Sequence, residues 1–376
     1  MEGGGVDKVN SVSGLVESLY GVFLEFSSQL ATFFVTQTAQ RASHALDVDS
    51  GGGVRQHGEP VSDISTLLHE NKGVVFVNPA AGAGRAGRNL RRVRGAFERA
   101  KIAAEFVVAA SAADMEVRVL EAIADGARLL FAMGGDGTVQ ALVNAVCGER
   151  SQKSGVVIGV LPSGGGNDFA AALGLAKDPA TVVAGLRDAT IRSVDVLRAR
   201  TGDGATRLFV GGGGVGLDVE VSRHASASYR RWPGRSRYLA STLRAWREFE
   251  PIEIRAEFPD DDLPAIDARA MLAATLNTPS YGAGLRVAPD ARVDDGLLDF
   301  AILKTVSAAQ VGRAIPKMFA NGTLPDSYFT RRKARSVILQ TERESMFHGD
   351  GEILGPAPVR IEVLPHAIQV LATIGK

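Results

Sequence analysis

From residue 129 to residue 138 the chain reads Leu-Leu-Phe-Ala-Met-Gly-Gly-Asp-Gly-Thr. Leu129 to Met133 form an uninterrupted apolar run of strand length, the pattern of a parallel strand buried on both faces. The run drives straight into Gly134-Gly135-Asp136-Gly137-Thr138, and Val139 to Val146 then suits a helix. Glycines let the backbone turn tightly and expose N–H groups, and the following helix adds its positive end at the same point. An anionic phosphate can approach there. Asp136 is the one carboxylate among those glycines, where phosphate chemistry needs a base or a magnesium ligand. Taken alone, Gly-Asp-Gly is also an ordinary turn, since short glycine motifs are weak signals.

The neighbouring segments repeat the pattern. Val74 to Val77 read as a strand that ends in Asn78-Pro79-Ala80-Ala81-Gly82-Ala83-Gly84-Arg85. A helix follows, with Leu90, Val93, Phe97 and Ala100 on one face. Ala104 to Val108 read as a second strand, and Met115, Val119 and Ile123 mark a second helix. Val156 to Leu161 form another strand, opening into Pro162-Ser163-Gly164-Gly165-Gly166-Asn167-Asp168-Phe169. Alternating strands and helices with crossovers of this length imply a parallel sheet. Its glycine-rich strand ends would face one crevice, where such sheets bind ligands. Gly82 to Gly87 fit the dinucleotide pattern Gly-x-Gly-x-x-Gly, but the prolyl turn at Pro79 is unlike that fold. No Gly-Lys-Ser/Thr closes a Walker-type loop.

After Asp195 the pattern changes. Leu208–Val210, Val219–Val221, Ile252–Phe258, Ala268–Leu276, Leu298–Leu303, Ser336–Gln340 and Val359–Leu364 read as strands. Most connections between them are too short for crossover helices, which implies an antiparallel second domain. Arg237–Glu250 and Ala308–Ala320 are the helix-like exceptions.

The bulk numbers narrow the function classes. At 376 residues there is room for two full cores. Lys plus Arg and Asp plus Glu balance at 42 each, so no global field favours nucleic acid. The single cysteine, Cys147, excludes an intrachain disulfide and fits a reducing compartment, and the six histidines show no zinc spacing. Residues 1–72 read as an extension. Leu15 to Phe34 are apolar with a helical period, but Glu17 and Glu25 interrupt them short of a bilayer span. That helix packs on the body or a partner, or lies on a membrane surface; Asp49 to Pro60 read as a linker.

Together the motifs resemble the lipid-kinase family of diacylglycerol kinases, sphingosine kinases and bacterial lipid kinases, distantly related to NAD kinases. The resemblance rests on Val77-Asn78-Pro79, Gly134–Thr138, Leu161–Ala170, Asp195, Gly214–Asp218, Asn277, Tyr281–Gly284, Ala288–Ala291, Asp294–Asp299, Asp350-Gly351-Glu352 and Leu364-Pro365. It spans about residues 73–372. It implies an α/β nucleotide-binding domain with a parallel, Rossmann-like sheet over 73–196, joined by 365–376, and an antiparallel β-sandwich over 197–364. It also implies an ATP- and magnesium-dependent kinase of a lipid hydroxyl. Diacylglycerol is the first acceptor, a sphingoid base the alternative.

The implied roles are specific. Asn78, Gly82, Gly84, Arg85, Gly134, Gly135, Gly137, Thr138, Gly164, Gly165, Gly166 and Asn167 would hold the nucleotide. Asp168, Asp195 and Glu352 would serve magnesium. Asp136, Asp350 and Glu352 would be catalytic, with Asp136 set ahead of Asp350 as the base. The expected setting is cytoplasmic and peripheral to a membrane, with the lipid as partner, no nucleic acid, and a homodimer left open. Tyr229–Tyr238, basic and aromatic, and Arg331-Arg332-Lys333 are the stretches suited to headgroups. Some positions depart from the family pattern: Gly165 replaces Thr, Ala171 Arg, Ala141 Glu, Gly211 Asn and Ala81 Ser. Each loses a hydrogen-bonding group, which leaves a catalytically weak lipid-binding homologue as the alternative of another class.

Overall fold

The computed structural model describes residues 64–148, 155–217, 219–221, 244–246, 248–282, 284, 286–307, 310, 313 and 327–373. The 15–34 stretch, the 49–60 linker, Asp218, the 229–238 segment and nearly all of 308–320 lie outside the described residues. Among the described residues, no helix is long and apolar enough to cross a membrane.

The expected α/β half is present. Strands β1 (Gly73–Val77), β3 (Leu129–Gly134) and β4 (Val157–Pro162) are buried at every position, as their unbroken apolar sequences require. β2 (Ala104–Val108) lies outside β1, giving the parallel order β2-β1-β3-β4. Chain direction across the sheet reverses between β1 and β3, the switch point outside whose carboxyl ends such sheets bind ligands. Helices α2 (Ala81–Ala100), α3 (Ala112–Ala124) and α4 (Asp136–Cys147) carry the crossovers. α3 starts where the Ser111 hydroxyl accepts the Asp114 N–H at 3.1 Å. Ahead of β1, helix α1 (Ile64–Glu70) buries Leu67 and Leu68 in the same core, so the body takes in residues before Gly73.

Two short helices, α5 (Asp168–Ala172) and α6 (Pro179–Ala184), lead from β4 into β5 (Ala189–Arg200). β5 pairs antiparallel with the last strand, β15 (Val359–Thr373), along nearly its whole length. At its far end β15 also runs parallel to β4, at Gln369 and Val370. These two long strands therefore carry the sheet from one half into the other. One apolar cluster accordingly joins Phe76, Leu130 and Ile158 to Val196, Val210 and Ile368.

The second half is antiparallel and sandwich-like. It comprises β6 (Thr206–Phe209), β7 (Gly212–Gly216), β8 (Ile252–Glu257), β9 (Ile266–Leu276) and β10 (Leu298–Lys304). β11 (Phe329–Ala334), β12 (Ser336–Thr341), β13 (Met346–Gly349) and β14 (Glu352–Pro356) complete it. Along the main path the order is β14-β13-β7-β9-β8-β12-β15.

One expected strand moves. Val219 to Val221 are helical, and the strand lies earlier, in the Gly-Gly-Gly-Val-Gly run of β7. β7 runs between β9 and β13, where its one side chain, Val215, enters the core and Gly213 and Gly216 leave no room for a Cβ. A Cβ on Gly213 would lie 2.4 Å from the His348 carbonyl oxygen, and one on Gly216 would lie 2.5 Å from that of Met271. Packing overrides the poor strand propensity of glycine here.

Candidate active site

The loops after β1, β3 and β4 meet at the crevice, and glycine is what lets them touch. In the first turn of α2, Gly82, Ala83 and Gly84 have φ of 60°, 57° and 80°, a left-handed run that the two glycines tolerate and Ala83 adopts at a cost. A Cβ on Gly82 would lie 2.2 Å from the Ser163 carbonyl oxygen, so the first loop rests on the β4 loop. A Cβ on Gly164 would lie 2.3 Å from the Gly135 Cα, so the β3 and β4 loops touch backbone to backbone. Asn78 ties in from β1: its Nδ2 donates to Thr138 Oγ1 at 3.3 Å, and its Oδ1 accepts the Ala80 N–H at 3.2 Å. Asn167 closes its own loop, Oδ1 accepting the Gly164 N–H at 2.9 Å and Nδ2 donating to the Gly164 carbonyl at 3.1 Å. Its side chain is thus committed to loop shape. Gly165 and Gly166 lie half-buried in that loop, and Arg85 is exposed at the start of the regular part of α2.

Asp136 opens α4, and its carboxylate crosses to the β4 loop. Its Oδ2 accepts the Asn167 N–H at 2.8 Å and its Oδ1 accepts the Phe169 N–H at 3.3 Å. Burial, then the nearby Asp168 charge, push its pKa up to about 6 against those amide bonds. Asp350 is held in the same manner by the other half. Its Oδ2 accepts from Val210 N at 2.7 Å, and its Oδ1 from Gly211 N at 2.9 Å and Gly212 N at 3.1 Å. Burial pushes its pKa up to about 7, and the Asp136 charge adds to the rise. The two aspartates therefore share one crevice. The turn between β13 and β14 meets the start of α4: a Cβ on Gly137 would lie 3.4 Å from Glu352 Oε1 and 3.7 Å from the Asp350 carbonyl oxygen. Gln140 Nε2 donates to the Gly349 carbonyl at 3.3 Å, closing the same seam.

Glu352 differs from both aspartates. It is exposed at the mouth of the crevice, and among the described residues no hydrogen bond or ion pair engages its carboxylate. Asp168, beside Asp136, accepts the Ser280 hydroxyl proton at 2.6 Å.

Asp195 lies elsewhere in its chemistry, fully buried at 0% exposure. Its Oδ2 accepts the Gly296 N–H at 2.7 Å and its Oδ1 the His366 N–H at 2.8 Å. Burial is the main cause that raises its pKa, and those two amides oppose it. His366 sits in the β15 irregularity between Leu364 and Ile368, where that strand passes between the halves. Asp195 is thus a clamp at the crossover, and the magnesium role expected of it finds no solvent-facing oxygen. Among the described residues no three His, Cys, Asp or Glu side chains stand together as a metal site. Asp168, Asp195 and Glu352 are not brought into one ligand set. Magnesium commonly uses one or two carboxylates and takes its other oxygens from substrate phosphates and water, and Asp168 beside the glycine loops fits that use.

Sequence reasoning missed Ser280 and the amides of residues 210–212. Ser280 directly precedes the Tyr281-Gly282 motif, a position that could have drawn attention to it. The amides left no signal, because backbone groups carry no sequence.

Comparison with known proteins follows this geometry. A diacylglycerol kinase catalytic domain matches residues 72–199, and the YegS C-terminal NAD kinase beta sandwich-like domain matches residues 213–372. The diacylglycerol kinase of Mycobacterium tuberculosis strain H37Rv is 29% identical over 309 residues, which cover 81% of this chain and 96% of the relative. A protein of Pseudomonas aeruginosa strain PAO1 named probable lipid kinase YegS-like is 31% identical over 252 residues, 67% of this chain and 79% of the relative. The crystal structure of a diacylglycerol kinase from Bacillus anthracis str. Sterne shares the fold, with a TM-score of 0.61 at 22% identity over 81% of this chain and 97% of that one. With both domain matches in sequence order, and loops from both halves converging on one crevice, the chain belongs to the lipid kinase family that joins a diacylglycerol kinase catalytic domain to a NAD-kinase-like β-sandwich.

Proposed function

We propose that this lipid kinase transfers the γ-phosphoryl group of ATP to the hydroxyl of diacylglycerol at a membrane surface, giving phosphatidic acid. The observation that carries the reading is the contact between the Asp350–Glu352 turn and the first turn of α4, beside three touching glycine loops. Amide-rich loops and a helix N-terminus suit the anionic tail of a nucleotide, and kinase chemistry is mostly positioning and charge neutralisation. Magnesium, held by Asp168 and the phosphates, would offset charge on the transferred group.

Glu352 is the base in this reading. A general base needs a lone pair that can reach the acceptor hydroxyl. Backbone N–H groups take two of the roughly four acceptor sites of the Asp136 carboxylate and three of those of Asp350, whereas the Glu352 carboxylate is exposed beside Gly137 with its sites open among the described residues. The acceptor O–H would give its proton to Glu352 as its oxygen bonds the γ-phosphorus and the bond to ADP breaks. Asp136 and Asp350 act one step back, fixing the β4 loop and the turn that carries Glu352.

A second reading, the catalytically weak homologue, draws support from Gly211. A Cβ there would lie 2.8 Å from Asp350 Oδ1, so the family's Asn could not enter without displacing that carboxylate. The deciding experiment offers γ-labelled ATP and magnesium with a panel of lipid alcohols. Label is expected in the lipid phase, with diacylglycerol ahead of sphingoid bases. Label confined to sphingoid bases would replace the acceptor, and label in no lipid would favour the weak homologue.

A further inference from the structure

The turn that leaves the crevice at Ser280 ends, six residues on, at a cation that has no counter-ion among the described residues. Arg286 is half-buried, and its Nε is buried with no hydrogen-bond partner. Its guanidinium makes one long bond, from NH2 to the Pro289 carbonyl at 3.5 Å. A second guanidinium, Arg331 on β11, reaches the same turn from the other side: its Nε donates to the Val287 carbonyl at 2.9 Å, and its Cζ stands 5.0 Å from the Phe329 ring centroid.

The carboxylates around this turn are committed to other cations. Asp294 binds Arg192 at 2.6 Å and Arg292 at 3.5 Å, while Asp295 and Asp299 bind Lys333 at 2.7 and 3.3 Å. Asp290 is exposed and adds its charge to that of Asp295 at Asp299. Among the described residues no carboxylate pairs with Arg286. Burying a guanidinium N–H without a partner costs free energy, and an anion seated on the same guanidinium would offset that cost. The planar fork of arginine matches the oxygens of phosphate. Beneath the turn lies an apolar cluster of Leu272, Leu276, Val287 and Phe329, with Tyr281 and Tyr328 packed against it as partly buried aromatics. Aromatics of that kind suit a membrane interface.

We propose that Arg286, with Arg331, forms a phosphate-binding site for the headgroup of an anionic phospholipid, separate from the crevice where the acceptor hydroxyl reacts. Six residues span at most about 20 Å, so a lipid held at Arg286 keeps the crevice close to the bilayer. The site does not depend on the kinase reading, because binding can be measured without nucleotide.

The test is flotation of the full chain with phosphatidylcholine vesicles, plain or containing phosphatidic acid. Selective binding to the phosphatidic acid vesicles is expected, with Arg286→Gln weakening it about tenfold or more. Arg286→Lys, which keeps the charge and loses the fork, should fall between. Arg255→Gln controls for net charge, since Arg255 is an exposed residue already paired with Glu257 and Asp267. Equal binding by wild type and Arg286→Gln, or equal losses in Arg286→Gln and Arg255→Gln, would overturn the site. A fourth arm adds inorganic phosphate to the bound vesicles. Release at millimolar phosphate only in the wild type supports a site that reads the phosphate group itself, and retention supports one that needs the lipid. Thermal melting without lipid separates binding from folding: Arg286→Gln should melt no lower than wild type, because it removes an unpartnered buried donor, and a large drop would mean the residue is structural.

Discussion

Asp136, half-buried, and Asp350, buried, are both gripped by backbone amides, yet the two halves of the protein build those grips differently. In the α/β half the grip depends on close approach, because loops without side chains touch and one carboxylate staples them together. In the sandwich-like half the amides of Val210, Gly211 and Gly212 converge on a single carboxylate that rides on a hairpin turn. The first half is therefore vulnerable to added atoms, the second to lost charge. Glu352 belongs to neither grip, and that freedom is what suits it to proton transfer.

The largest expected effect tests that distinction. Glu352→Gln should lower phosphoryl transfer about 10²- to 10⁴-fold, with ATP binding and melting temperature unchanged, because the side chain is exposed. Transfer within a few-fold of wild type would return the base to Asp136. Asp136→Asn is the paired variant: it puts an NH2 group against an amide donor, so it should lose activity and stability together.

Next comes the close approach. Gly164→Ala places a methyl group 2.3 Å from the Gly135 Cα, a backbone atom that cannot swing aside. Overpacking of this kind costs about 1–3 kcal/mol. The loops must part, so nucleotide affinity should fall along with the melting temperature. A variant that binds ATP as well as wild type would show that the loop contact is incidental to the nucleotide site.

Much of this was legible in the sequence, and what was not has physical reasons. The strands of the α/β half announce themselves because burial on both faces demands unbroken apolar runs, as at Leu129–Met133. β7 is the reverse case. A strand with one side chain among four glycines cannot show a period, and its identity lies in the neighbours that exclude a Cβ. β5 was hidden because Arg192, Asp195 and Arg198 interrupt it, and its partner β15 lies at the far end of the chain. The motifs named Asp136, Asp350 and Glu352 and set Asp136 first as the base, whereas the reading proposed above gives that role to Glu352. Ranking required knowing which oxygens the backbone already occupies, and the same consideration removes Asp195 from the metal set.

Asp195 yields a smaller and different effect. Asp195→Asn should cost about 1–3 kcal/mol of stability, since one of its two buried amide partners would face an NH2 group. Turnover by the folded fraction should remain near wild type. If kcat instead collapsed at unchanged stability, the clamp at the crossover would have to be read as part of the chemistry.

The last effect is a slope, small at any one pH step. The pKa values of Asp136 and Asp350 rise on folding from 3.8 to about 6 and about 7. Between about pH 4 and pH 7 the folded protein therefore keeps protons that the unfolded chain has released. Stability from these groups is fully present below pH 4 and is lost as pH rises through that window, on the order of 1 kcal/mol per pH unit for each group. Other carboxylates titrate in the same range, with Asp195 raised but Asp178 and Asp294 lowered, so the wild-type curve alone is ambiguous. Asp350→Asn isolates the part that Asp350 contributes. Urea unfolding of the nucleotide-free protein at several pH values should give a variant curve flatter than that of wild type between pH 4 and pH 7. A bound cation would favour both charged carboxylates, so magnesium with nucleotide should flatten the wild-type curve as well. Parallel curves for variant and wild type would mean that Asp350 ionises as freely in the folded protein as in the unfolded chain, and the two grips would then be alike only in geometry.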